Sequence, residues 1–315
     1  MNKNPILVVQ NLTKIFAPQN KNQEPFKAVD SISFTLHEGE ILGLLGPNGA
    51  GKSTTIHMLL STLTATSGSV TAFGKDFFKC RWQVLQEVGF ASTYINFPSN
   101  LSVYENLTIH GRLYGLSGKN LKEQISHYLE LFHATDFGMR EFGALSAGQK
   151  TRVMLVKAFM TNPKLVLLDE PTASLDPDIA YEVRQFILNE QQRRGLSILF
   201  TSHNMDEVAA VCGRVLVLRN GKIIADDSPA ALAASISNAR VQFLVTDGLK
   251  RLIAYNADHN LANTIKDRWI EIEVAELEIA SFITTIMELG VRFSHIAIEK
   301  PTLEDYFLQI SRSGK

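Results

Sequence analysis

The alternation of apolar and polar positions divides the chain into recognisable segments. "ILVVQNLTKIF" reads as a strand, "APQNKNQEPF" as a polar loop and "KAVDSISFTL" as a half-buried strand. "GEILGLLG" is short and continuously apolar, as expected at the centre of a parallel sheet. In "NLKEQISHYLELFHA", Leu121, Ile125, Tyr128, Leu129 and Phe132 recur at helical spacing. "AGQKTRVMLVKAFM" reads as a second helix, apolar on most sides and therefore expected to be buried. "KLVLLDEP" and "LSILFTSH" are buried strands on either side of "DPDIAYEVRQFILNEQQRRG". That segment is a helix with Asp176 at its N-cap, Pro177 in its first position and Gly195 as its stop. "RVLVLRNGKIIAD" is a hairpin turning at Asn220-Gly221. Strand, crossover helix, strand predicts an α/β fold with a mainly parallel core sheet.

The small-residue stretch "DDSPAALAASISNA" marks an expected boundary. Beyond it, "WIEIEVA" alternates as a strand and "EIASFITTIMELG" is an amphipathic helix. "VRFSHIAI" is a further strand and "TLEDYFLQI" a closing helix. The expected organisation is a main domain over 1–235 and a small α+β appendage over 236–315.

Composition narrows the class. The chain has 315 residues, 45% hydrophobic and 20% charged, which fits a soluble globular protein of more than one domain. Its formal net charge of -1 gives no global basic field, so nucleic acid is not an expected partner. Cys80 and Cys212 have no paired spacing, which argues against a disulfide frame or zinc site and for a reduced cytosol. The segment "MNKNPILVVQNLTK" lacks a signal peptide's apolar core. No apolar run reaches the roughly 18 residues of a membrane helix. Any role at a membrane is expected to come through a partner.

The chemistry begins at "GPNGAGKST". Gly46, Pro47, Asn48, Gly49, Ala50, Gly51, Lys52, Ser53 and Thr54 follow the buried strand, open a helix and fit the phosphate-loop pattern in its required context. The glycines let backbone N–H groups turn inward as an anion nest, and the helix N-terminus adds its positive end. Lys52 is expected to reach the β- and γ-phosphates of a bound nucleotide and Ser53 to ligate Mg²⁺. Downstream, "LVLLDE" sets Asp169 and Glu170 at the end of a buried strand, where ligands sit in open parallel sheets. Asp169 is expected to hold the metal, and Glu170 to act as the base that polarises water. An apolar run ending in two carboxylates is by itself a weak signal. Its place after a phosphate loop strengthens it.

"LSAGQ", Leu145 to Gln149, then resembles the signature sequence of ABC ATPases. The phosphate loop, the signature and "LLDEP" stand in the family's order, "SLD" (Ser174 to Asp176) matches its D-loop, and His203 in "FTSH" matches its switch histidine. The resemblance covers about residues 5–235 and implies a P-loop NTPase of ABC ATPase type. It would comprise N-terminal antiparallel strands, the parallel core and a helical subdomain over about 91–160. It further implies a homodimer in which the signature of one copy, with Ser146, Gly148 and Gln149, faces the ATP held by the other. Asp176 would be a dimer contact, although a helix cap needs no partner. His203 would contact the γ-phosphate; the alternative is a satisfied structural histidine. The family's adenine-stacking aromatic falls on Phe16, with Phe26 as fallback, against a plain edge-strand role for Phe16.

Lacking spans of its own, the chain is expected to energise a separate membrane permease from the cytoplasmic face. "IEKPTLEDYFLQI" resembles the end of exporter ATPases serving drug, polysaccharide and nodulation-factor efflux, through Pro301, Thr302, Leu303, Glu304, Asp305 and Phe307. The competing class is a soluble ABC ATPase acting on ribosomes, DNA or iron–sulfur assembly. Translation-type members usually carry two cassettes and a charged linker, and DNA-repair members a long coiled-coil insertion; this sequence has one cassette and no such insertion. Finally, the uncharged stretch "VGFASTYINFPSN" occupies the family's Q-loop. Tyr94, Ile95 and Phe97 are its expected permease contacts, against ordinary packing. Thr93 stands where the family has glutamine, as a shorter candidate metal or water contact.

Overall fold

The computed structural model describes residues 4–18, 24–92, 97–236 and 238–312. Two compact units divide the chain, Met1–Ser228 and Pro229–Lys315. The first opens with strands β1 (Pro5–Phe16), β2 (Phe26–His37) and β3 (Ile41–Leu45), then helix α1 (Lys52–Leu59). Strands β4 (Ser67–Ala72) and β5 (Lys75–Asp76), helix α2 (Arg81–Leu85) and strand β6 (Val88–Ser92) follow. Helices α3 (Val103–Leu113), α4 (Gly118–Leu131) and α5 (Ala147–Phe159) come next. The unit then alternates through β7 (Leu165–Asp169), α6 (Pro177–Arg194), β8 (Ser197–Thr201) and α7 (Met205–Val211), and ends in the hairpin β9 (Arg214–Arg219) and β10 (Lys222–Asp227).

The central sheet runs β10-β9-β3-β8-β7-β6. The five strands from β9 to β6 are parallel and β10 joins antiparallel at the other edge. Strands β3, β6, β7 and β8 are buried at every position, which is why they read as continuous apolar runs. A second, antiparallel sheet runs β2-β1-β4-β5. Leu7, Phe34, Leu42, Ile56 and Leu167 share one core between the two sheets and α1. Helix α5 buries seven residues, Val153 to Val156 among them, as its nearly all-round apolar pattern predicts.

Local signals set the element ends. Helix α6 starts on Pro177 and stops at Gly195, which adopts φ +63°. Asp176 takes the extended N-cap backbone, but its side chain makes no capping hydrogen bond, so the cap expected of it is positional only. The β9–β10 turn has φ +48° at Asn220 and +76° at Gly221, the pair of positive values a two-residue hairpin turn demands.

The second unit holds α8 (Pro229–Ala234), β11 (Asn238–Asp247), α9 (Leu249–Asp258), β12 (Asn263–Lys266), β13 (Trp269–Ala275), α10 (Ile279–Glu288), β14 (Arg292–Glu299) and α11 (Leu303–Arg312). Its antiparallel sheet runs β12-β13-β11-β14. Val241 and Phe243 of β11 pack with Ile270 and Ile272 of β13 under Leu252 of α9 and Phe282 and Ile286 of α10. The stretch expected as a boundary, residues 226–239, takes in the end of β10, all of α8 and the start of β11. Among the described residues, no helix is long and apolar enough to cross a membrane.

Candidate functional site

The phosphate loop spans the gap between β3 and α1, and it is pinned from behind. Gly221 N–H donates to the Ala50 carbonyl at 3.2 Å, and Asp30 N–H donates to the Gly221 carbonyl at 2.8 Å. Two glycines are sterically required here. At Gly46 a Cβ would come within 2.4 Å of the Leu218 carbonyl oxygen, and at Gly51 (φ +106°) within 2.6 Å of the Ala28 oxygen. Helix α1 begins at Lys52, as the motif requires. The Lys52 ammonium folds over the loop and donates to the carbonyls of Gly46 (2.6 Å) and Pro47 (3.2 Å). Burial pushes it below the ordinary lysine value, while the negative charges of Glu170 and Asp169 oppose that shift. Ser53 is exposed on the first turn of α1.

Asp169 closes β7 and is buried. Its Oδ1 accepts from Thr201 Oγ1 at 2.7 Å and its Oδ2 from Ser92 Oγ at 3.3 Å. The parallel register puts Ser92, Asp169 and Thr201 side by side at the ends of β6, β7 and β8. Glu170 turns out of the strand with φ +53°, a left-handed conformation that costs a non-glycine residue about 1–3 kcal/mol. Its N–H donates to both the carbonyl and the hydroxyl oxygen of Thr201, each at 3.1 Å, which holds the turn in place. Glu170 Oε2 then lies 2.9 Å from His203 Nδ1. The two residues assigned to hydrolysis from sequence are therefore neighbours.

A second buried carboxylate, which the sequence did not single out, braces this region. Glu207 of α7 is buried. It accepts from Thr172 Oγ1 at 2.5 Å and from Ser202 Oγ at 2.6 Å, and Arg184 Nη1 stands 3.6 Å away. It thus ties the turn after Glu170 to the turn before His203.

The signature forms a capping box on α5. Ser146 Oγ accepts from Gln149 N–H at 3.3 Å, and Gln149 Oε1 accepts from Ser146 N–H at 3.0 Å. The S-x-x-Q spacing carried that signal. Gly148 allows a close approach within the same chain: a Cβ there would meet the Ser174 carbonyl oxygen at 2.8 Å. The signature helix therefore rests on the D-loop. Phe16 and Phe26, the two adenine candidates, are direct cross-strand partners at the ends of β1 and β2. Both are exposed, and the Lys14 ammonium sits 5.1 Å from the Phe16 ring centre. Thr93, Tyr94 and Ile95 lie outside the described residues. Phe97 is half-buried, edge-on to Phe142 at 5.7 Å and to His110 at 6.2 Å.

The exporter-like segment also has a local explanation. Thr302 Oγ1 accepts from Asp305 N–H, and Asp305 Oδ2 accepts from Thr302 N–H and hydroxyl at 2.8 Å each. This is a reciprocal cap for α11, with Leu303 buried behind it. A cleft of about 920 Å³ lined by His37, Glu40, Gln191 and Arg214 lies at the opposite, N-terminal ends of β3 and β9, away from the phosphate loop.

Comparison with known proteins fits this geometry. The ABC transporter family pattern matches residues 29–173. The chain is 29% identical to the bacitracin transport ATP-binding protein BcrA of Bacillus licheniformis, over 98% of each chain. It is 37% identical to the Nod factor export ATP-binding protein I of Rhizobium sp. (strain N33), over 65% of this chain and 67% of that one. A solved ATP-binding cassette, dimeric in a post-hydrolysis state with ADP and Pi, superposes with a TM-score of 0.65 at 21% identity, covering 70% of this chain and 98% of that one. A component of an ABC transporter complex from Clostridium perfringens superposes at 0.61 with 26% identity, covering 74% and 92%. An anion loop, a buried carboxylate and a Glu–His pair gathered at one end of a parallel sheet, in a chain with these relatives, make this protein a member of the ABC transporter family, an ATP-binding and ATP-hydrolysing subunit.

Proposed function

We propose that this chain powers export through a separate membrane permease, working as a homodimer on the cytoplasmic face. The observation that carries the reading is the convergence of Lys52, Asp169 and the Glu170–His203 pair at the C-terminal end of the central sheet. The exporter direction is supported by the relatives named for bacitracin transport and Nod factor export, and by the closing segment from Pro301 to Phe307, which resembles the end of exporter ATPases.

In this reading the loop from Gly46 to Thr54 cradles the phosphates, and Lys52 exchanges its loop carbonyls for β- and γ-phosphate oxygens. Glu170 takes a proton from the attacking water. His203 steadies that carboxylate and meets the γ-phosphate. Phe16, beside Phe26, stacks on the adenine. The donor set fits Mg²⁺: the Ser53 hydroxyl and the Asp169 carboxylate are hard oxygen ligands, and each Asp169 oxygen accepts a hydroxyl while retaining a free lone-pair direction. When bound, the ion would neutralise phosphate charge. Ser146, Gly148, Gln149 and Asp176 present the N-terminal end of α5 and the D-loop to the second copy's nucleotide. Thr93, Tyr94 and Ile95, with Phe97, are the proposed side toward the permease.

The test is Glu170→Gln. It should retain ATP, lose steady-state hydrolysis about 10²–10⁴-fold and trap a closed, ATP-bound dimer. Normal turnover by this variant rejects Glu170 as the base. Isolation of the chain from membranes should bring a multi-span protein with it; isolation without one rejects the transport reading.

A further inference from the structure

The edge strand of the second unit carries a surface that the proposed nucleotide cycle does not use. Among the described residues, strand β14 pairs with β11 on one side only. From His295 to Glu299 the pairing is unbroken: Leu244↔His295, Phe243↔Ile296, Gln242↔Ala297, Val241↔Ile298 and Arg240↔Glu299. Direct cross-strand partners share a face of the sheet. Ile296 and Ile298 therefore lie on the same face as Phe243 and Val241, which are fully buried beneath α9 and α10. Yet Ile296 is 37% exposed and Ile298 50% exposed. The helices cover the inner strands and leave the margin open.

Open edges are ordinarily blunted by lysine, proline, bulges or short length. The opposite edge, β12, follows that rule: it has four residues, all exposed, and ends on Lys266. Strand β14 has a bulge at Ser294 and Lys300-Pro301 after its end, but the five flat residues between carry two isoleucines and no lysine or proline.

We propose that β14 pairs antiparallel with β14 of a second copy of this chain, about a two-fold axis at Ala297, joining the two C-terminal units independently of nucleotide. The sequence of the strand selects the occupant and the register. A two-fold axis normal to the sheet keeps each face on its own side, so it must pass through a residue. Centred on Ala297, the pairing sets Ile296 of each copy against Ile298 of the other on the helix-covered face. On the opposite face it sets His295 against Glu299, a donor against a carboxylate. The neighbouring registers are worse. Centring on Ile296 places Ile298 against the bulged Ser294 and Arg292 against Lys300. Centring on Ile298 places Ile296 against Lys300 and Ala297 against Glu299. Centring on His295 sets the two histidines face to face. A continuous eight-stranded sheet across the two copies satisfies the open N–H and C=O groups of both edges and removes four isoleucines from water.

The cassette dimer of the proposed function requires ATP; this contact does not, so the two can fail separately. In the full chain carrying Cys80→Ser, with Cys212 buried, an Ala297→Cys substitution should form an inter-copy disulfide without nucleotide. Residues on the axis of an antiparallel pair are about 4.5–5.5 Å apart at Cα, within disulfide reach. Ile298→Asp should weaken the nucleotide-free dimer at least tenfold by light scattering. The same change in a Glu170→Gln background should leave the ATP-dependent dimer in place. A nucleotide-free chain that is monomeric at tens of micromolar overturns the proposal. So does crosslinking at Ile296→Cys but not at Ala297→Cys, because that register is a different interface. An intact nucleotide-free dimer of the parental chain, with no ATP-dependent dimer in the Glu170→Gln, Ile298→Asp variant, would uphold the β14 contact and reject the cassette reading instead.

Discussion

His203 Nδ1 lies 2.9 Å from Glu170 Oε2, across the end of the central sheet and within one chain. The imidazole is mostly exposed while the carboxylate is largely covered, so the histidine closes over the glutamate from the solvent side. The proposed consequence is that His203 sets the orientation of the base as well as meeting phosphate. His203→Ala should lower ATP turnover about 10²–10⁴-fold and leave nucleotide affinity within a few-fold. Phosphate release under saturating ATP measures this, and unchanged turnover would remove His203 from the mechanism.

Lys52 spends its ammonium on two loop carbonyls, and burial already disfavours its charge. A phosphate is the better partner for that cation. Lys52→Ala should weaken ATP binding by tenfold or more. A fluorescent nucleotide titration decides it: equal affinity in both proteins contradicts the phosphate-loop assignment.

Glu207 accepts two hydroxyls and faces Arg184 in a buried position. Removing it strands all three partners. Glu207→Ala should cost about 2–4 kcal/mol of stability, and Glu207→Gln, which keeps the shape, should cost less. Urea unfolding separates these outcomes. An alanine variant with the parental midpoint would show that the network carries no weight.

The Lys157 ammonium sits over the rings of Phe90 and Phe97, at 5.3 and 5.9 Å, and burial lowers it to about 8. His110, packed on Phe97 and Tyr114, is lowered to about 4, first by burial and then by the Lys157 charge. Both folded-state values lie below the ordinary ones, so in each window the unfolded chain binds more protons and stability rises with pH. For Lys157 the window runs from about 8 up to 10.5; for His110 it runs from about 4 up to 6.5. Thermal melts should therefore lose stability on acidification below 6.5 and gain it above 8 from these groups. Lys157→Met should flatten the alkaline arm and His110→Phe the acidic one. Arms that stay parallel to the parent's in both variants would place the pH dependence elsewhere.

The sequence by itself determined what is local or periodic. Continuous apolar runs meant fully buried parallel strands, Asn220-Gly221 meant a tight turn, and Pro177 and Gly195 meant the ends of one helix. The phosphate loop was legible because its glycines and Lys52 act within nine consecutive residues. The capping boxes at Ser146–Gln149 and Thr302–Asp305 were written at the same short range. Only the tertiary structure decided what depends on strand register and helix docking. Ser92, Asp169 and Thr201 are far apart in the chain and meet because three parallel strands end level. Glu207 joins two turns that no spacing rule connects. Gly148 answers to the Ser174 carbonyl of a neighbouring turn, and Ile298 is exposed because α9 and α10 stop short of the sheet's margin. Backbone propensity and side-chain period act over a few residues and can be read in order. Burial, hydrogen-bond completion and steric fit depend on which distant segments the core brings into contact.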